Sequence, residues 1–263
     1  MSSFADDFAM IPLWGLFLLT AVFCICGTEI GAALARFALR RNGDKEPEGP
    51  LGSLVGALLG LLAFLLAFTF GLAASRFDTR RQLVLDEANA IGTTYLRAAL
   101  LPQPQGTEVR RLLREYVEAR IITNRDNIPD LLRKSDEIQD RLWGETKALA
   151  ATDMDSELRS LFVASLNETI DLHQSRVTVG LQYRIPGVVW AAMYLLTLLS
   201  MLAVGYQVGM SGMRRLRGTP IVAIAFSLVI AMVADIDRPG EGFVRVSQQP
   251  IADVQRMMLR NSP

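Results

Sequence analysis

The stretch LLGLLAFLLAFTFGLAASRFDTRRQLVLDEANAIGTTYLRAALLP, residues 58–102, holds two solvents in one line. From Leu51 to Ser75 no residue is charged. Crossing about 30 Å of hydrocarbon takes roughly 20 apolar residues in a helix, the form that satisfies its own backbone polar groups there. At Arg76 the composition changes abruptly. Val84, Ala88, Ile91, Tyr95 and Ala98 then recur at helical spacing among charged neighbours. Neither Gly nor Pro falls between Gly71 and Gly92. The span is therefore expected to run on out of the bilayer, as one helix from Leu51 to Leu101 of roughly 75 Å at 1.5 Å per residue.

Working outward, three more segments meet the length and polarity of a span: Ile11 to Ala35, interrupted by Glu29; Ile185 to Met210; and the shorter Thr219 to Ala234. Each of the four begins beside a proline, at Pro12, Pro50, Pro186 and Pro220. Proline lacks an N–H that the first helical turn would leave orphaned anyway, so these positions mark helix starts, with Thr219 expected as an N-cap. Asp6 and Asp7, without Lys or Arg, precede the first span, the reverse of a signal's basic leader.

The 263 residues carry 27 basic and 27 acidic groups. Of these 54 charges, 33 fall between residues 76 and 185. That middle segment reads as helical throughout. After Pro102 and Pro104 come stripes at Val109, Leu112, Leu113, Tyr116, Val117 and Ile121, then Leu131 to Leu149, then Leu158 to Leu181. The expected fold is an all-α membrane protein of four transmembrane helices with a helical-bundle domain inserted between the second and third. The boundaries are residues 11–35, 51–75, 76–185, 186–210 and 219–236, with a C-terminal tail over 237–263. Net charge near zero and the lack of a basic block argue against nucleic acid as a partner.

The short joints hold Arg36, Arg40, Arg41 and Lys45, then Arg214, Arg215 and Arg217. The positive-inside rule favours these joints in the cytoplasm, with the bundle outside. Arg76, Arg80, Arg81, Arg184, Arg238 and Arg245 flank the opposite ends of the spans and favour the reverse. The sidedness stays open at this point.

Catalysis finds no foothold: the sequence has no nucleophile elbow, no phosphate loop and no H-E-x-x-H, and the expectation is a protein that is not an enzyme. No cofactor and no metal are expected. Cys24 and Cys26 lie on different faces of one helix, so they are not a chelating pair, and His173 is the lone histidine, read as hydrogen-bonded core. Glu29 is the one ionisable residue well inside a span, a candidate pore or intramembrane group; it either lines a cavity or pairs with a basic neighbour such as Arg36. Glycines four apart, Gly27 and Gly31, Gly52, Gly56 and Gly60, and Gly205 and Gly209, allow close helix packing within one subunit or between subunits. After the last span, Asp235, Asp237 and Glu241 form either an oxygen site for a hard cation or ion pairs with Arg80, Arg81 or Arg238.

Two of these stretches, LLAFLLAFTFGLAASRFDTRRQLVLDEANAIGTTYLRAALLP and DIDRPGEGFVRVS, together resemble the bestrophin-like family of bacterial and plant membrane proteins. That family carries a leucine-rich span, an E-A-N-A-I-G-T-x-Y-L-R helix and a D-x-D-R-P element after the last span. The resemblance covers about residues 50 to 102 and 186 to 257. It singles out Arg76, Arg81, Glu87, Asn89, Arg97, Asp235, Asp237, Arg238 and Pro239 as motif residues. This chain departs from the usual aromatic after the D-x-D-R-P element, having Gly240-Glu241-Gly242 there. More distantly the resemblance extends to true bestrophins, pentameric anion channels whose intervening domain is cytoplasmic. Their aromatic pore neck and run of acidic calcium ligands have no evident counterpart in the sequence. The resemblance implies a homo-oligomeric ion channel or channel-like protein in the lipid bilayer of a bacterial inner membrane, with an ion of unnamed identity. The alternative is a non-conducting sensor or scaffold acting through a partner protein.

Overall fold

The structure, a computed structural model, describes residues 11–42, 48–121, 127–152, 157–211, 218–238 and 242–261. Among them there is no strand. The helices, in chain order, are α1 (Leu13–Asn42), α2 (Glu48–Ala98), α3 (Gln105–Arg120), α4 (Ile128–Thr152) and α5 (Glu157–Val177). A π-helical turn at Thr178–Gln182 follows, then α6 (Gly187–Met210), α7 (Thr219–Asp237) and α8 (Gln249–Arg260). Helices α1, α2, α6 and α7 are long and apolar enough to cross a membrane.

The prolines act as the sequence suggests: α1 starts one residue after Pro12, Pro50 lies in the first turn of α2, and Pro186 immediately precedes α6. At α7 the cap differs from expectation. Thr219 is already helical, Gly218 occupies the cap position, and no side chain caps the helix. The continuity of α2 is as expected, 51 residues without a break. The approach to the third span is not continuous. After the π-helical turn the backbone becomes extended at Tyr183, with φ −83° and ψ 106°. Pro186 would clash with a helical residue in front of it, which separates α5 from α6.

The chain forms two compact units. The first comprises Met1–Arg76 and Arg184–Arg245. Its core includes Leu16, Leu62, Leu66, Trp190, Met193 and Ile230. Helices α1 and α6 pack closely through glycines: Gly27 meets the Met201 side chain, Gly31 faces the Leu202 and Tyr206 backbone, Gly205 faces the Thr28 backbone, and Gly209 faces Ala32 and Ala35. A side chain at Gly31 or Gly205 would collide with backbone, so the missing Cβ sets the approach of the two helices. Buried hydroxyls at Thr20, Thr69, Thr197 and Ser227 donate to the carbonyl four residues earlier in their own helix. That leaves no naked hydroxyl in an apolar interior.

The second unit comprises Phe77–Tyr183 and Val246–Pro263. Val84, Ile91, Leu113, Tyr116, Phe162 and Leu166 anchor its core at the spacings read from the sequence. The segment expected as a tail contains α8, which joins this core by burying Ile251 and Met258. Burying two such side chains contributes on the order of 2 kcal/mol each.

Candidate functional site

In the first unit the end of α7 is folded by its own charges. Asp237 accepts the Ile185 N–H at 3.1 Å and lies 3.9 Å from the Arg76 guanidinium. Asp235 accepts the N–H groups of Phe243, at 3.0 Å, and Val244, at 3.3 Å. Arg238 donates to the Ile11 carbonyl at 2.5 Å. Gly242 has φ +84°, and a Cβ there would strike the Asp235 carboxylate, so only glycine lets the chain turn back under this side chain. Asp235, Asp237 and Arg238 are all buried. Backbone amides satisfy the two carboxylates, as ends of chain segments are tied down. Among the described residues no group of three or more His, Cys, Asp or Glu side chains is arranged to hold a metal ion. Pro239 and Glu241 lie outside the described residues.

Also in this unit, one face of α2 is open. Gly60, Phe64, Phe68 and Gly71 are exposed along a single stripe, and a Cβ at Gly56, Gly60 or Gly71 would meet nothing within 4 Å. Gly52 faces the Gln207 side chain. The two phenylalanine rings, 69% and 55% exposed, stand one turn apart between the glycines. The sequence does not mark these two rings; they stand out only because packing within the unit leaves this face of α2 uncovered. Glu29 lies on the exposed side of α1. Cys24 is buried and Cys26 exposed, as their two-residue spacing requires.

In the second unit a buried ionic cluster draws on every helix of the bundle. Glu87 of α2 is fully buried and accepts from Arg120 Nε of α3 at 2.7 Å and Arg176 Nη1 of α5 at 2.5 Å. The Tyr116 hydroxyl donates to Glu87 at 3.2 Å, and receives a hydrogen bond from Gln139 of α4 at 3.1 Å. His173 Nδ1 lies 3.1 Å from the same hydroxyl, and its Nε2 is 3.4 Å from the exposed Asp136 carboxylate. Arg176 reaches onward to Gln248, just before α8, at 3.1 Å. Burial would raise the Glu87 carboxyl, yet Arg120 and Arg176 outweigh it and hold the group below the usual carboxylate range. Burial and then Arg120 push the His173 imidazole down to about 4, so it is neutral at physiological pH. Burial and the neighbouring Glu87 raise the Tyr116 phenol. With its donors and acceptors engaged by each other, the cluster fixes helix register and leaves Glu87 no room to act on a ligand.

Of the remaining motif residues, Arg97 donates to the Leu161 carbonyl at 2.6 Å, tying α2 to α5. Arg81 and Asn89 are exposed. The sequence marks Glu87 but not its partners Tyr116, Arg120 and Arg176, nor Gln139, which supports Tyr116.

The elements and their charge-locked ends define an all-α membrane protein with four apolar helices of spanning length. The model of the Bestrophin-like domain matches residues 25–251, and the chain belongs to that family. No curated protein matches it. Among solved structures, the chain resembles a bacterial bestrophin homologue from Klebsiella pneumoniae with a TM-score of 0.63 at 17% identity, covering 93% of this chain and 96% of that one. A tyrosine-to-alanine variant of that homologue matches with a TM-score of 0.63 at 16% identity, covering 93% and 97%. A membrane protein bearing a leucine-to-alanine substitution matches with a TM-score of 0.64 at 15% identity, again covering 93% and 97%. At such identities the likeness is one of fold.

Proposed function

We propose that the protein is one subunit of a homo-oligomeric ion channel, a multi-pass protein of the bacterial inner membrane. The observation that carries this reading is the open stripe of α2. Lipid tails are served well enough by leucine, whereas glycines bracketing two exposed rings suit a helix that approaches an axis shared with other copies. Several such stripes around one axis would leave a narrow apolar constriction at Phe64 and Phe68, of the kind that gates ions by dewetting. Four spans of one chain enclose little lumen, so conduction needs several subunits. Membership of the Bestrophin-like family supports the same reading. Purified protein in detergent is expected to migrate as a symmetric oligomer and to pass ions when reconstituted into liposomes. A monomer without flux above empty vesicles contradicts it. A non-conducting sensor would instead co-purify with a stoichiometric partner.

A further inference from the structure

Between α2 and α5 of the second unit lies an open groove of about 690 Å³. Asp86 and Asn89 line it from α2, and Asn167, Glu168, Asp171 and Ser175 from α5. Thr94 and Thr169, hydrogen bonded at 3.0 Å, hold the two helices together. Asp86 accepts a hydrogen bond from Gln82, but among the described residues neither Glu168 nor Asp171 has an ion-pair partner. Toward the Ala98 end of α2 the same face turns apolar: Leu96 of α2, Leu100 in the turn after it, and Leu158 and Leu161 of α5 are each about half exposed. The face thus offers carboxylates at one end and leucines at the other, uncovered by anything in its own unit.

A complementary surface stands elsewhere on that unit. Helix α8 buries Ile251 and Met258 inward and turns Asp253, Arg256, Leu259 and Arg260 outward, with Arg256 ion-paired to Asp253 of its own helix and Leu259 66% exposed. Arg260 has no ion-pair partner among the described residues. At 12 residues α8 is about 18 Å long, the length of the groove wall from residue 164 to 175 at the same rise per residue. We infer that the α2–α5 groove is the docking site for the outer face of α8 from a second copy of this chain, Arg260 meeting Glu168 and Asp171 while Leu259 meets the leucines. Because groove and helix are different surfaces of one unit, the contact is head-to-tail and each copy both gives and receives, an arrangement that makes a ring where the rotation between copies closes. The inference rests on the homo-oligomer reading above and supplies it with an interface outside the spans.

The test uses the full-length protein with Cys24→Ala and Cys26→Ser, adding Asn167→Cys and Leu259→Cys together. Oxidation is expected to give a ladder of covalent species on a denaturing gel, rising to the full subunit number. A second measurement reverses charges: Asp171→Arg and Arg260→Glu each lose most of the assembled species by native mass, and the two combined recover it. Cross-linked dimers alone, or an intact native oligomer without cross-links and indifferent to both reversals, would overturn the docking while leaving the oligomer standing. A wild-type protein that is monomeric by native mass would overturn both.

Discussion

His173 sits where two arginines, a buried carboxylate and an exposed one converge, and its imidazole stays neutral because burial and Arg120 disfavour the cation. In the unfolded chain it takes up a proton near pH 6.5, whereas in the folded protein it does so only near 4. The unfolded state therefore binds more protons in that window, and the stability of the second unit falls as pH drops from about 6.5 to about 4. Glu87 adds to this at lower pH, since its depressed value means its ion pairs are lost as pH falls through the folded value, below the ordinary 4.5. Thermal unfolding in detergent across pH is expected to show the first loss in the wild type and a flattened dependence for His173→Gln. An unchanged pH dependence would separate His173 from the cluster. Little of this was legible in the sequence. Glu87 stands out as a charge among apolar residues, but its partners Arg120 and Arg176 are 33 and 89 residues away, and nothing local marks which arginines fold onto it.

At the level of elements, local signals were the readable ones. Prolines beside apolar runs and the absence of a breaker after Gly71 give the helix starts and the long α2, because both act within a turn of chain. The glycine spacings were visible too, but only packing separates those that a neighbouring helix fills from those left open. Gly31 and Gly205 abut backbone of the opposite helix, while Gly56 and Gly60 face open space. Gly31→Ala is accordingly expected to cost about 1–3 kcal/mol, as overpacked sites do, by prising α1 from α6. Gly56→Ala should leave monomer stability within about 1 kcal/mol of the parent or raise it, through helix propensity. Matching melting temperatures for the two variants would remove the glycines from any account of helix approach. Helix α8 went unread because Ile251 and Met258 give only two buried positions in 12 residues, too short a stripe to stand out from a polar tail.

For the whole molecule, sidedness and conduction are the remaining quantities. Seven basic residues flank the spans in the short joints and six at the opposite ends, so charge near the span ends does not decide orientation. The more distant resemblance to true bestrophins implies a cytoplasmic bundle, the reverse of what the short joints alone favour. A cysteine at the exposed Glu118, in a chain with Cys24→Ala and Cys26→Ser, is expected to resist an impermeant thiol reagent until cells are lysed. Labelling of intact cells would place the bundle outside. The central claim, that the open face of α2 lines an ion path built from several copies, is tested most directly by ion flux through liposomes carrying Gly60→Trp. A Cβ at that position meets nothing within 4 Å in the single chain, so the fold should survive, and native mass reports whether the oligomer does. A ring of indoles at the constriction should then lower flux by about tenfold or more relative to the parent. An assembled variant that conducts as well as the parent would contradict the claim.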